Sequence, residues 1–593
     1  MPFSSTETKM MPETHPCGHQ HQPAWPLLSS HIRSAQFGQL LLLCSLCFRK
    51  MGMGAVLLSV ALTACIQSED ADLIVHNATI HSMDEGMNTA QAMAVKDGKI
   101  IALGAEREIL NRYRAQSKYD ARKMHVYPGF IDAHAHFIGY ARNLAELDLK
   151  GVGSEEEMLE RLAAFAASSE REWIVGRGWD QNLWERGQYP HRSRIDSILP
   201  DRPVLLTRID GHAAVINTAA MKKAALNPDR PIAGGKMLRD ADGAFSGILI
   251  DRAVDRISRF IPPLDPGELV PMLKQAQAEC FALGLTSVSD LGIGLGEALL
   301  LDSLQQQGEL DIRIYASLRP EESSLDFMHR GPLITERLSL RSVKMYADGA
   351  LGSRGALLKQ PYSDDPENYG LLLTALEEIH AWAEACMDFG FQLNTHCIGD
   401  SAAALLLALY ADQLREMNDL RWRIEHAQVL SPGDRHYFGD YGIIPSVQPV
   451  HAVSDAPWAE ERLGPDRIAH AYAYASLKQE LGILALGTDF PVEAISPLDN
   501  LHAAVFRLPA NREDAAVFHS DEALSMDDAL RGMTIWAALA QHEEEVKGSL
   551  EAGKFADFAI YNRNISETGP AEWHKLKCTA TFVDGMQVYP LGN

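Results

Sequence analysis

The sequence predicts an α/β protein built on a TIM (β/α)8 barrel, with a small β-sandwich assembled from both ends of the chain. Two observations carry this. Through the middle, short β-type runs alternate with helical patterns, and eight strand candidates can be counted, the texture of a closed parallel sheet with helices outside it. At either end the helical patterns stop, and short strands are joined by Asp-Gly turns at Asp97-Gly98 and Asp584-Gly585.

The first 65 residues differ from all that follows. Arg49 and Lys50 precede the apolar run "MGMGAVLLSVALTA", which ends at Cys65. Positive charge, a short apolar stretch and then small residues is the order of an export signal, and the run is shorter than a membrane-spanning helix needs. "LTAC" (62–65) resembles a bacterial lipobox, with Cys65 as the lipid-bearing first residue of the mature chain. The alternative is a buried amino-terminal helix, but the polar "SEDAD" that soon follows reads as a tether. The expected location is therefore the periplasmic side of a bacterial membrane, with contact to the membrane only through that anchor.

Residues 66–125 and 545–593 supply the sandwich, from "DLIVHNATIHSM" and "AMAVKDGKIIALG" at one end and "GSLEAGKFADFAIYN" and "CTATFVDGMQVYP" at the other. Residues 126–544 supply the barrel. Its strands are "VYPGFIDAHAHF" (126–137), "TSVSDLG" (286–292), "IRIYASL" (312–318), "RSVKMYADG" (341–349), "FQLNTHCIG" (391–399), "RWRIEHAQV" (421–429), "IIPSVQP" (443–449) and "ILALGTDFP" (483–491). Helical patterns such as "ELVPMLKQAQAECFALG" and "EEIHAWAEACMDFG" fill gaps between them, with Gly284 and Gly390 placed as C-caps. One long insertion, about 150–265, follows the first strand.

Of the 593 residues, 46% are hydrophobic, enough for a large core, and the net charge of −25 argues against nucleic-acid binding, which normally presents a basic face. Eight cysteines are too few and too scattered for a disulfide scaffold, and no CxxC pair with zinc spacing appears downstream of the first 65 residues. Cys280, Cys386, Cys397 and Cys578 read as buried small hydrophobes.

Chemistry in a TIM barrel sits at the carboxyl ends of the strands. Period-two alternation puts Asp132, His134 and His136 on one face of the first strand. The fourth strand offers Lys344, the fifth His396, the sixth His426 and the eighth Asp489. Each has an ordinary alternative. A lone strand histidine often serves as a hydrogen-bonded core residue, Lys344 could be a surface residue, and Asp489 could cap a turn. Yet Lys344 lies among Val343, Met345 and Tyr346 in a strand expected to be buried, where an unpaired ammonium is expensive. Ligand-type residues at the ends of five separate strands make coincidence the weaker explanation.

The ordered set His134-x-His136, Lys344, His396, His426, Asp489, within "PGFIDAHAHF", "KMYADGALGSRGA", "NTHCIGD", "RIEHAQ" and "GTDFPVE", resembles the amidohydrolase superfamily. The surrounding text is similar to its third subgroup, the YtcJ-like hydrolases related to N-substituted formamide deformylases. The likeness runs over roughly residues 70–590. It implies a distorted TIM barrel with a composite β-sandwich, and a centre of two divalent metal ions, zinc being the leading candidate. His134, His136 and Asp489 would hold one ion, and His396 and His426 the other. Lys344 would bridge them as a CO2-derived carbamate, which turns a costly buried cation into an anionic oxygen ligand. Metal-activated hydroxide would then attack a small-molecule amide, an N-acyl or N-formyl amine, with Asp489 as acid and base.

Other positions are candidate substrate contacts: His212 in "RIDGHAAVIN", Asp348, Ser353 and Arg354 in "ADGALGSRGA", and His451 in "QPVHA". "GRGWDQNLW" either lines the pocket or packs the insertion. Asp132 is expected to orient a histidine ring. A mononuclear deaminase or a cyclic amide or ester hydrolase of the same superfamily is the alternative, though deaminases usually lack the strand-four lysine. A metal-binding lipoprotein without activity is a more remote one. The sequence leaves open whether the chain forms an oligomer.

Overall fold

The computed structural model describes residues 68–262, 264–510 and 515–591. The export segment and Cys65 lie outside the described residues.

Eight parallel strands form the barrel: β1 (Phe130–Ala135), β2 (Leu285–Ile293), β3 (Arg313–Leu318), β4 (Leu338–Tyr346), β5 (Gln392–Cys397), β6 (Arg423–His426), β7 (Ile444–Val447) and β8 (Ala485–Leu486). Each pairs in parallel with the next around the ring. β8 is only two residues long, and the chain just beyond it closes the ring onto β1. Asp489 N–H donates to the His134 carbonyl (2.7 Å) and His136 N–H donates to the Phe490 carbonyl (2.8 Å). The approach is close enough that a side chain at Gly487 would meet the His134 nitrogen at 2.4 Å. All of β1 and nearly all of the other strands are buried, as a parallel sheet covered by helices requires.

The expected first strand, 126–137, divides at Gly129. His125–Pro128 belongs to the sandwich, pairing with Phe558–Tyr561 and Thr79–His81, whereas Phe130–Ala135 enters the barrel. The physical cause is the close packing of the two units. A Cβ at Gly129 would overlap the Thr286 side chain at 2.1 Å, so the chain turns from one sheet to the other at a residue that has none.

The sandwich itself joins a four-stranded sheet (Lys99–Gly104, Ala92–Lys96, Glu69–His76, Tyr113–Asp120) to a six-stranded one that mixes amino-terminal and carboxy-terminal strands. Leu73, Val75, Val95, Val126, Phe558, Ile560 and Phe582 fill the space between them. Both Asp-Gly turns have positive φ at both residues (Asp97 50°, Gly98 73°; Asp584 52°, Gly585 72°), the geometry that suits hairpin twist. Arg313 at the start of β3 ties sandwich to barrel, its Nη2 reaching Asp557 Oδ1 at 2.9 Å and also Asp584. Gly390 ends its helix in the left-handed conformation, and Gly284 lies one residue beyond the C-cap Leu283.

Between β1 and β2 the chain builds a separate six-stranded mixed sheet running from Leu147–Asp148 to Gly235–Arg239 in space. Trp179 and Trp184 are core residues of this insertion. Their indole N–H groups donate to Leu206 O (2.8 Å) and Val152 O (3.0 Å), so "GRGWDQNLW" packs the insertion with both tryptophans. Cys280, Cys386 and Cys397 are buried in the barrel's outer core, but Cys578 is only half-buried, its thiol facing Thr581 Oγ1 at 3.3 Å.

Candidate metal centre

The carboxyl ends of β1, β4, β5, β6 and β8 bring the predicted residues to one place. His134 stands on β1 and His136 just beyond it, at the start of the helix Phe137–Asn143. Lys344 lies on β4, His396 on β5, His426 ends β6 and Asp489 follows β8. Neighbouring rings are in contact: His134–His426 centroids are 4.7 Å apart and His396–His426 4.4 Å. Lys344 Nζ is 3.3 Å from His134 Nε2. Asp489 Oδ1 lies 3.2 Å from His136 Nε2 and 3.6 Å from His134 Nε2, without hydrogen-bond geometry to either. His426 and Asp489 both carry left-handed backbone (φ 72° and 62°), which costs free energy and turns their side chains inward where the strands end.

The rings of β1 are held from behind. His134 Nδ1–H donates to Glu425 Oε2 at 2.7 Å, and Glu425 Oε1 faces Arg423 Nε at 2.7 Å as an ion pair without hydrogen-bond geometry, all three fully buried. His136 Nδ1–H donates to the Leu291 carbonyl at 2.9 Å. Both contacts leave Nε2 unprotonated with its lone pair aimed into the cluster, that of His134 toward Lys344 Nζ. Burial, offset by Arg423 and His134, leaves Glu425 ionised with its pKa drawn down to about 2. Asp132 does not orient a ring. Its carboxylate accepts the His134 amide (3.1 Å), the Thr488 amide (3.0 Å) and the Thr488 hydroxyl (2.6 Å), so it clamps the seam between β1 and the chain after β8. The ring-orienting carboxylate is Glu425, on another strand.

The electrostatics suit a cation. Burial lowers the imidazoles: His134 to about 4, and His396 and His426 well below the usual value. They are therefore neutral imidazoles at pH 7, the form able to ligate a metal. Burial opposes ionisation of Asp489, but the surrounding imidazoles hold it well below the carboxylate range. Burial also draws the Lys344 ammonium down to about 8, against the pull of Glu425 and Asp489, so an appreciable fraction of free amine exists near neutrality.

Whether the donor set fits metal can be judged from its unpaired atoms. His396 Nε2, His426 Nδ1, His451 Nε2 and Asp489 Oδ1 are all buried without a hydrogen-bond partner. Four such atoms in one cavity would be a heavy penalty unless a ligand satisfies them. Ligand atoms of His134, His426 and Asp489 lie within 4.8 Å of one another. The residues present fit bound divalent ions.

The remaining candidates are distributed around this cluster. His451, in the first turn of the helix Pro449–Leu463, stacks on His426 (5.9 Å, 3°) with Nε2 3.7 Å from Asp489 Oδ2. His212 comes from the insertion to within 5.1 Å of the His396 ring, its Nδ1 bonded to Asp251 Oδ1 at 2.7 Å. Burial alone would lower His212, but Asp251 and Asp210 overcome it and raise it. Asp348 is 3.9 Å from His396 Nε2, yet its oxygens accept three amides, from Leu357, Ile398 and Gly399, which ties the loop after β4 to β5. Ser353 is buried in that loop, and Arg354 pairs with Asp364 (2.9 Å). Asp251 itself was not singled out by sequence. It is packed against Gly349 and Gly355, where any Cβ would come within 2.9 Å of its carboxylate, so the glycines of "DGALGSRGA" make room for the insertion.

The amidohydrolase family profile matches residues 118–589, from the sandwich through the whole barrel. The chain belongs to the amidohydrolase family. It is similar to the Protein LONG AFTER FAR-RED 3 of Arabidopsis thaliana, at 34% identity, covering 88% of this chain and 92% of that protein. It is also similar to the N-substituted formamide deformylase of Arthrobacter pascens, at 25% identity over 87% of this chain and 98% of the other. Among solved structures, a metal-dependent hydrolase from Pyrococcus horikoshii superposes with a TM-score of 0.70 at 28% identity, covering 84% of this chain and 99% of that one. This amidohydrolase accordingly has the distorted barrel and sandwich of its family.

Proposed function

We propose that this amidohydrolase cleaves a non-peptide carbon–nitrogen bond, the amide of an N-formyl or N-acyl amine, with Asp489 as general base and general acid. The observation that carries the reading is the set of unpaired ligand atoms around Asp489, a carboxylate kept ionised beside neutral imidazoles. The similarity to a formamide deformylase supports the choice of bond. Two divalent ions, zinc the first candidate, would be held by His134, His136 and Asp489 and by His396 and His426, and would supply Lewis acidity and lower the pKa of bound water. Lys344, as its carbamate, would bridge the two groups of ligands. Its burial and its depressed pKa favour the free amine, the form that reacts with CO2.

Asp489 takes the proton from the attacking water and delivers it to the departing nitrogen, so that one carboxylate serves both halves of the reaction. Glu425 keeps the His134 ring fixed while this charge moves, and Asp132 keeps Asp489 in place through the Thr488 seam. His212, oriented by Asp251, and His451 stand on two sides of the cluster, where each can donate to the substrate carbonyl. The lipobox makes Cys65 the proposed lipid anchor, and the periplasmic side of the membrane the proposed location.

The test is incubation of zinc- or manganese-loaded protein with a panel of N-formyl, N-acetyl and longer N-acyl amines, scoring release of the free amine. Turnover that is lost in Asp489→Asn supports the reading. Ammonia release from an amino-heterocycle, with no amide turned over, would replace it with a deaminase.

A further inference from the structure

Arg177 stands out among the cations near the mouth because, among the described residues, no carboxylate lies within ion-pair distance of it. It lies on the insertion strand Ile174–Trp179 and is part-buried. Its Nη2 donates to the Ile209 carbonyl at 3.0 Å, and its Nε is buried with no partner. Among the described residues it forms no ion pair with any carboxylate. The acids nearby act on it only from beyond ion-pair distance: Asp210 is held by Arg208 Nη1 (2.6 Å) and by the His212 amide (3.0 Å), and buried Glu146 feels the charge of Arg177 without pairing with it. The neighbouring arginines differ, since Arg208 is shared between Asp180 and Asp210.

Its place in the fold is over the active face. A Cβ on Gly211 would lie 3.1 Å from Arg177 Nη2, so the guanidinium lies against the turn that delivers His212 to His396 at the end of β5. On its other side the backbone of Arg177 is bonded to Leu149, and the adjacent Lys150 reaches the Glu493 carbonyl (3.2 Å) in the loop after Asp489. Arg177 is thus bracketed between the His212 turn and the Asp489 loop. Burial pulls its pKa down, against the more distant charges of Asp489, Asp210 and Glu146. A guanidinium taken partly out of water with no carboxylate in contact is unfavourable, and its planar fork matches a carboxylate.

We propose that Arg177 binds a carboxylate carried by the substrate, so that the amide cleaved is that of an acylated amino acid rather than of a neutral amine. This rests on the amide-hydrolase reading for the bond broken, but the anion site can be tested apart from it. In a chain of net charge −25, a local cation is also what would let an anion approach the mouth.

The probes are N-formylphenylalanine and N-formylphenethylamine, which differ only in the carboxylate. Their binding to metal-loaded protein is measured by calorimetry, and their hydrolysis by amine release. The wild type is expected to bind the acid more tightly. Arg177→Met should weaken binding of the acid roughly 10- to 100-fold, the range for a lost hydrogen bond to a charged group, and leave the neutral probe unchanged. Arg177→Lys, which keeps the charge and loses the fork, should fall between, and melting temperatures establish that both variants fold. Where hydrolysis occurs, the change should appear in KM with kcat preserved. Equal binding of the two probes, no binding of either, or an acid preference that survives Arg177→Met overturns the proposal. Binding of the acid through Arg177 without hydrolysis supports the anion site and counts only against the amide-hydrolase reading.

Discussion

Two groups of histidines in this protein look alike in sequence and differ in chemistry. In the sandwich, His81 and His125 meet across neighbouring strands, and His81 also lies flat on Tyr127 at 4.3 Å. At the barrel mouth, His134, His396, His426 and His451 surround Asp489. The sandwich pair satisfies itself, His81 Nε2 facing His125 Nδ1 at 3.1 Å, one nitrogen donating and the other accepting. The mouth leaves lone pairs unspent and adds a carboxylate and a lysine. Clustered imidazoles alone therefore do not make a site. Buried ligand atoms that no protein group satisfies, gathered about an ionised carboxylate, do.

The largest break in this comparison is at Asp489. Asp489→Asn keeps the size of the side chain and removes the proposed base, and should lower kcat on whichever amide is turned over by roughly 10²- to 10⁴-fold, with circular dichroism unchanged. Next is the metal. Exhaustive chelation should abolish turnover, with zinc or manganese restoring it, and His426→Asn should lower the metal content whereas His125→Gln should not. A metal content that falls equally in both variants would erase the distinction between the clusters. Glu425→Gln keeps the shape but weakens the anchor of His134 and leaves Arg423 without its counter-charge. The expected loss is about 10- to 100-fold in metal affinity or activity, read by competition with a chelator.

The smallest effect belongs to the sandwich pair. Burial, with His125 adding to it, lowers His81 to about 4 in the folded state, against an ordinary 6.5. Protons are then bound more readily by the unfolded chain, so the stability present above pH 6.5 is lost as the pH falls from there toward 4. Melting temperature should decline over that window, and His81→Phe should flatten part of the decline. An unchanged slope would mean that His81 does not contribute.

Much of this was legible in the sequence because the signals were local. Asp-Gly turns fix hairpins by their own backbone preference, and a lysine among Val343, Met345 and Tyr346 declares a buried cation wherever it lies. Asp132 was misread because a carboxylate two residues from a ligand histidine can equally accept backbone amides, and only closure of the ring decides which amides arrive. Glu425 was discoverable, since alternation puts it and Arg423 on the same face of a strand with no exposed side, but its partner His134 is 291 residues away. Asp251 and Arg177 belong to the insertion. Its approach to the mouth depends on how a second sheet seats on the glycines of the β4 loop, and no periodicity in the chain encodes that.

The proposed chemistry depends on the mouth being a working metal centre. Its most direct test is elemental analysis of the purified protein, paired with amine release from an N-formyl or N-acyl substrate in the same preparation. About two divalent ions per chain are expected, with activity rising and falling with that content. Full activity in protein stripped of metal would contradict this.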